Sequence, residues 1–81
     1  MKPILYNGRA GELMVIAAFR YCIGRQTYIV SDCVYWLMEI WKDIEKNTRD
    51  RIQKEIKEEI ARGNSGSYFD TQMWEKILEM E

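Results

Sequence analysis

Apolar and polar positions fall into four blocks along the chain. The first is residues 13–19, where Leu13, Met14, Val15, Ile16, Ala17, Ala18 and Phe19 follow one another without a polar break. Within a helix predicted over 9–23, such a run is apolar on every side, and a helix of that kind is surrounded by protein. It is therefore expected at the centre of the fold, with Ala17 and Ala18 allowing another helix close approach. The second block is periodic. Cys33, Val34, Leu37, Ile40, Trp41 and Ile44 recur at i, i+1, i+4, i+7, i+8 and i+11, a single stripe on a helix predicted over 31–46. Ser31 is a suitable N-cap, Asp32 suits the dipole of the first turn, and Val30 with Tyr35 fit a hydrophobic staple. The third block is charged except for Ile52, Ile56 and Ile60, one narrow stripe on a helix predicted over 48–62, with Arg51–Glu55 an attractive i,i+4 pair. Residues 45–48 weaken the pattern between these two blocks, so 31–62 reads as one helix or two. The fourth block, Met73, Trp74, Ile77 and Leu78, gives a helix over 70–80, with Asp70 as N-cap and Phe69 stapled to Trp74.

The expected fold class is all-α, about four helices in a single domain, 1–81. A minor two-stranded ribbon is open to residues 4–6 and 27–30, because Thr27, Ile29 and Val30 are β-branched and Tyr28 is aromatic. Tyr35, Trp36 and Met38 lie off the second stripe, and the fourth helix is short, so these three with Trp74 are the candidate interface to another copy or to a partner. A chain of 81 residues buries a thin core. Together with the apolar first helix, that predicts a homo-oligomer.

Composition removes several classes. There is no histidine, so the commonest general base is absent, and Cys22 and Cys33 are too few thiolates for a structural zinc site. No cofactor or metal is expected. The two cysteines read as buried free thiols, with a disulfide between them left open. The N-terminus lacks the apolar core of a signal peptide, and no run approaches the ~20 residues that span a bilayer. The expectation is a cytoplasmic protein without membrane contact. Net charge is −1, about +1 over residues 1–41 and −2 over 42–81. That balance argues against direct DNA binding. Phosphate-loop, nucleophile-elbow and dinucleotide motifs are missing, so the chain is not expected to be an enzyme.

One segment carries candidate binding chemistry. Arg20, Tyr21, Gly24, Arg25, Thr27 and Tyr28 cluster at the corner after the first helix, where Gly24 can cap the helix by taking positive φ. Arginine offers a planar fork for phosphate or carboxylate, tyrosine a stacking face, and glycine a close approach. The alternative is structural: both arginines cap carbonyls or bridge to Glu12, Asp32 or Glu39, Glu12 and Arg20 lying two turns apart on the first helix.

Residues 18–32, A-F-R-Y-C-I-G-R-Q-T-Y-I-V-S-D, followed by Val34, Trp36 and Leu37, resemble a run in short proteins of bacterial phages and prophages, A-F-R-Y-x-x-G-R-x-T-Y-x-V. Cys22-Ile23 departs from the small-apolar pair expected there. The resemblance covers about 20 residues and brings no activity with it. It implies a viral accessory product, in the host cytoplasm, of the counter-defence kind. Two expectations follow. One is a sponge that sequesters a nucleotide-like signal at the arginine–tyrosine corner. The other is an anti-CRISPR-like inhibitor that grips a host defence protein.

Overall fold

A computed structural model describes residues 8–81. They form four helices: α1, Gly8–Cys22; α2, Thr27–Ile40, continued by a 3-10 turn at Trp41–Asp43; α3, Lys46–Arg62; and α4, Tyr68–Leu78. The all-α class and the number of helices agree with the sequence pattern, and 31–62 is two helices. The break falls at Ile44 and Glu45, which are extended before α3 begins.

The core is built from one face of each helix. Val15, Ile16 and Phe19 of α1 meet Val30, Cys33, Val34 and Leu37 of α2, Ile52 and Ile56 of α3, and Met73, Trp74 and Ile77 of α4. The Phe19 and Trp74 rings pack edge to face with centroids 5.3 Å apart. Trp74, expected at an interface, is instead fully buried inside its own chain. The reason is its place on the stripe of α4, which turns it inward beside Met73 and Ile77.

Three boundaries differ from expectation. Segment 27–30 is the first turn of α2, not a strand, and Ser31 is therefore inside the helix rather than its cap. Gln26 is the N-cap, and its carbonyl accepts from the Ile29 and Val30 amides. Val30 extends the stripe of Cys33, Val34 and Leu37 by i+3, i+4 and i+7, so burying it overrides the local β-preference. The other half of the proposed ribbon, 4–6, lies outside the described residues. At α4 the N-cap is Ser67 rather than Asp70. The Ser67 hydroxyl accepts from the Asp70 amide, and the Asp70 carboxylate accepts from the Ser67 amide, a capping box that places Asp70 at N3.

Side chains of α3 fix the far end of α4. The Gln53 amide donates to the Ile77 and Met80 carbonyls, both at 2.9 Å, capturing two carbonyls at the helix end. Trp41 Nε1 donates to the Glu81 carbonyl at 3.1 Å.

Among the described residues, helix α1 is not enclosed as its apolar run suggested. One side is in the core, but Leu13 is 48% exposed, Met14 53% and Tyr21 59%. The other helices pack against one flank only, with α2 and α3 its main neighbours.

Candidate functional site

Two regions meet at the end of α1. The first is the arginine–tyrosine corner. Here Gly24 has φ +81° and links α1 to α2, and a Cβ at this position would sit 3.1 Å from the Asn64 carbonyl oxygen. The corner is therefore seated on the loop before α4. Arg25 folds back on its own helix: Nε donates to the Tyr21 carbonyl at 3.0 Å, and the guanidinium lies 4.4 Å from the centre of the Tyr21 ring. That is the carbonyl-capping alternative seen in the sequence. Thr27 and Tyr28 are exposed on the first turn of α2.

Arg20 faces the opposite way, toward α3. It grips Glu55 with two parallel hydrogen bonds, Nε to Oε1 at 2.9 Å and Nη2 to Oε2 at 2.8 Å. Glu55 also accepts from Arg51 at 3.2 Å, and Arg51 reaches Glu12 at 3.1 Å. Arginine hydrogen bonds hold the Glu55 carboxyl below its ordinary range, Arg20 contributing most, while Glu55 raises Arg20. The expected Glu12–Arg20 relation is thus replaced by two cross-helix pairs, Arg20–Glu55 and Glu12–Arg51. Arg20 and Glu12 project toward α3 rather than toward each other. These groups border a cleft of about 400 Å³ between α1 and α3, lined by Arg20, Arg51, Lys54, Glu55, Glu58, Glu59 and Arg62. Its charges are mixed, and Arg20, Arg51 and Arg62 are engaged with Glu55, Glu12 and Glu59.

So the structure does not gather the six corner residues around one cavity. Arg20 belongs to the α1–α3 cleft, whereas Tyr21, Gly24, Arg25, Thr27 and Tyr28 line the outside of the corner.

The second region is apolar. Ala10, Leu13, Met14, Ala17 and Tyr21 occupy i, i+3, i+4, i+7 and i+11 of α1, and all five are exposed. Beside this stripe a shallow groove of about 360 Å³ runs between α1 and α2, lined by Ala18, Cys22, Ile29, Asp32, Cys33 and Trp36. Met14, Ala17, Ala18 and Tyr21 are neighbours on the helix surface, so stripe and groove form one continuous face. Trp36, predicted at an interface, lines it. Tyr35 and Met38 lie elsewhere: Tyr35 borders a separate groove with Phe69 and Met73 of α4. The outer stripe was hidden in the sequence because the unbroken run 13–19 masks which positions face outward. Its period was nonetheless present at positions 10, 13, 14, 17 and 21.

No helix among the described residues is long and apolar enough to cross a membrane. No known family model, characterised protein or solved structure matches this chain. Among the described residues the fold and the site define a small four-helix protein with an open apolar face on α1 and α2 and a set of cross-helix ion pairs between α1 and α3.

Proposed function

We propose that the chain is a binding protein without chemistry of its own, and that it docks an amphipathic helix of another protein on the α1 stripe and the α1–α2 groove. The observation that carries this is the continuous apolar face of Leu13, Met14, Ala17 and Tyr21 with Ile29 and Trp36. Contiguous apolar surface of this kind is uncommon on a protein that works alone. Ala10, Ala17 and Ala18 allow a partner helix to approach closely, and an apolar helix face laid in a groove is a recurrent mode of recognition. Charge selects the flanks of the guest. Exposed Asp32 and Glu39 border the face on α2, and exposed Arg9 borders it on α1. A helix with a basic flank over α2 and an acidic flank over α1 fits both rims. The likeness to phage-encoded proteins supplies the context, an inhibitor of a host defence protein that presents such a helix.

A photo-crosslinking residue placed at Met14, with one at exposed Lys57 as control, tests the reading in cells. Crosslinking to one other protein at Met14 but not at Lys57, lost in a Leu13→Glu, Ala17→Glu variant that still folds, is the expected result. A product of twice the chain's own mass would make the occupant a second copy. No product at Met14 would overturn the docking face.

The nucleotide-sponge reading has one observation in its favour. Arg25 spends only Nε on the Tyr21 carbonyl, and a guanidinium has five N–H donors in all. Against it, Arg20 would have to give up Glu55. A panel of mono-, di- and cyclic nucleotides should leave the melting temperature unchanged. A large shift with one nucleotide, abolished by Arg25→Ala, would favour the sponge and displace the docking proposal.

A further inference from the structure

The α1–α2 groove holds both cysteines of the chain. Cys22 is the last residue of α1, and Cys33 lies in the second turn of α2. They share the groove wall with Ala18, Ile29 and Trp36, and both are free thiols. Their environments differ. Cys33 is buried in the core stripe, whereas Cys22 is half-buried at the rim. Burial pushes the Cys33 thiol well above its ordinary range, and the adjoining Cys22 side chain pushes it further. Both side chains line the same groove, which makes them neighbours across the helix pair. Cys33 has its place on the α2 stripe, and Cys22 packs against the same core from its rim.

We propose that Cys22 and Cys33 form a redox pair that closes to an intramolecular disulfide by exchange with a low-molecular-weight disulfide, locking α1 to α2 across the groove. The accessible Cys22 reacts first. Its thiol loses a proton, and the thiolate sulfur attacks one sulfur of the small disulfide R–S–S–R. A mixed disulfide forms at Cys22 and one R–S⁻ leaves. Cys33 then gives its proton to solvent and attacks the Cys22 sulfur, releasing the second R–S⁻. In total two protein thiols are oxidised by two electrons and the small disulfide is reduced to two thiols. The burial difference sets the order, because an entering reagent meets Cys22 before Cys33. The bond closes a short loop through the corner at Gly24. An oxidised chain has fewer unfolded conformations and a stiffer groove. Its effect on a docked helix rests on the function proposed above, but the bond itself does not.

The test treats the full chain with glutathione disulfide under native conditions and reads intact mass, peptide mapping without reductant and the melting midpoint. The expected product is a monomer lighter by two hydrogens, with Cys22 linked to Cys33, and melting higher by roughly 10 °C. Reductant should reverse both changes. Cys33→Ala should stop at a glutathione adduct on Cys22, and Cys22→Ala should stay unmodified while folded. The proposal is overturned if the native chain accumulates the Cys22 adduct with Cys33 still free, if Cys22 instead links two chains, or if neither thiol reacts. Because these readouts need no partner, their failure is separable from failure of the docking face.

Discussion

Replacing Gly24 by alanine separates two reasons for a glycine at the corner. Gly24 and Gly63 have almost the same backbone, φ +81° and +76°, but different surroundings. Gly63 closes α3: its amide donates to the Ile60 carbonyl at 3.0 Å and the Asn64 amide to Glu59 at 2.9 Å, a Schellman ending. A Cβ on Gly63 would meet nothing within 4 Å. Alanine there carries only the left-handed strain, about 1–2 kcal/mol. About 0.4–1 kcal/mol of that is offset by a less flexible unfolded chain, which leaves a net loss of roughly 1 kcal/mol. Alanine at Gly24 carries the same strain and the same offset, and adds the 3.1 Å contact with the Asn64 carbonyl. That is tighter than ordinary van der Waals contact for a Cβ, so the α3–α4 loop must retreat by a few tenths of an ångström. Overpacking of this kind costs about 1–3 kcal/mol. Gly24→Ala should therefore melt lower than Gly63→Ala by at least roughly 5 °C, at about 4–8 °C per kcal/mol for a chain of this size. Circular dichroism melts of the two variants, with urea midpoints as a second scale, give the difference directly. Equal losses would refute the idea that the corner is clamped on the α3–α4 loop.

Three further perturbations bear on the same structure. Ser67→Ala removes one arm of the capping box and should cost about 1 kcal/mol in urea denaturation, whereas Tyr68→Ala, at an 80% exposed side chain, should be near neutral. Glu55 binds its proton more weakly folded than unfolded, chiefly through Arg20. It therefore stabilises the fold at neutral pH, and this contribution fades as pH drops below the ordinary carboxyl value of 4.5 toward the lower folded value. Glu55→Gln should flatten the loss of melting temperature in that acid range, and an unchanged slope would place the acid sensitivity elsewhere. Phe19→Ala deletes a ring that is 1% exposed and packed edge to face on Trp74. A loss of about 3–5 kcal/mol is expected, a large part of the roughly 4–12 kcal/mol typical of a domain this long. A loss below about 1 kcal/mol by urea denaturation would mean that the Phe19–Trp74 contact is not central to the core.

The fold was legible where one period governed a segment. Cys33, Val34, Leu37 and Ile40 predicted a helix and lie buried on one; Ile52 and Ile56 did the same for α3. Local preference misled at helix starts. The β-branched residues at 27, 29 and 30 suggested a strand, but Val30 has its place in the core only if the helix begins earlier. Asp70 looked like a cap because it precedes the apolar residues of α4, yet the cap is the serine three residues before it, and Asp70 answers as the second half of the box. At α2 the start was set by the burial of Val30, which only the assembled bundle supplies, whereas at α4 it was set locally by the reciprocal hydrogen bonds of Ser67 and Asp70.

The site was less legible, and the reason is geometric. Arg20 and Arg25 are five residues apart, which places them on different sides of α1's end. One turns to Glu55, 35 positions away in the chain; the other caps its own helix. Clustering in sequence therefore did not produce clustering in space. The apolar face had the reverse history. An uninterrupted run from Leu13 to Phe19 hides its own periodicity, since every position is hydrophobic and only packing decides which of them turn outward. Once α2 and α3 claim Val15, Ile16 and Phe19, the positions Leu13, Met14 and Ala17 stay exposed. A run too apolar for one flank of a bundle is wasteful if the helix serves only its own core, but it is what a helix needs when it must bury one side at home and offer the other to a guest. The two cysteines sit on the seam between those sides, so the groove that would receive the guest is also where a disulfide would fix α1 against α2.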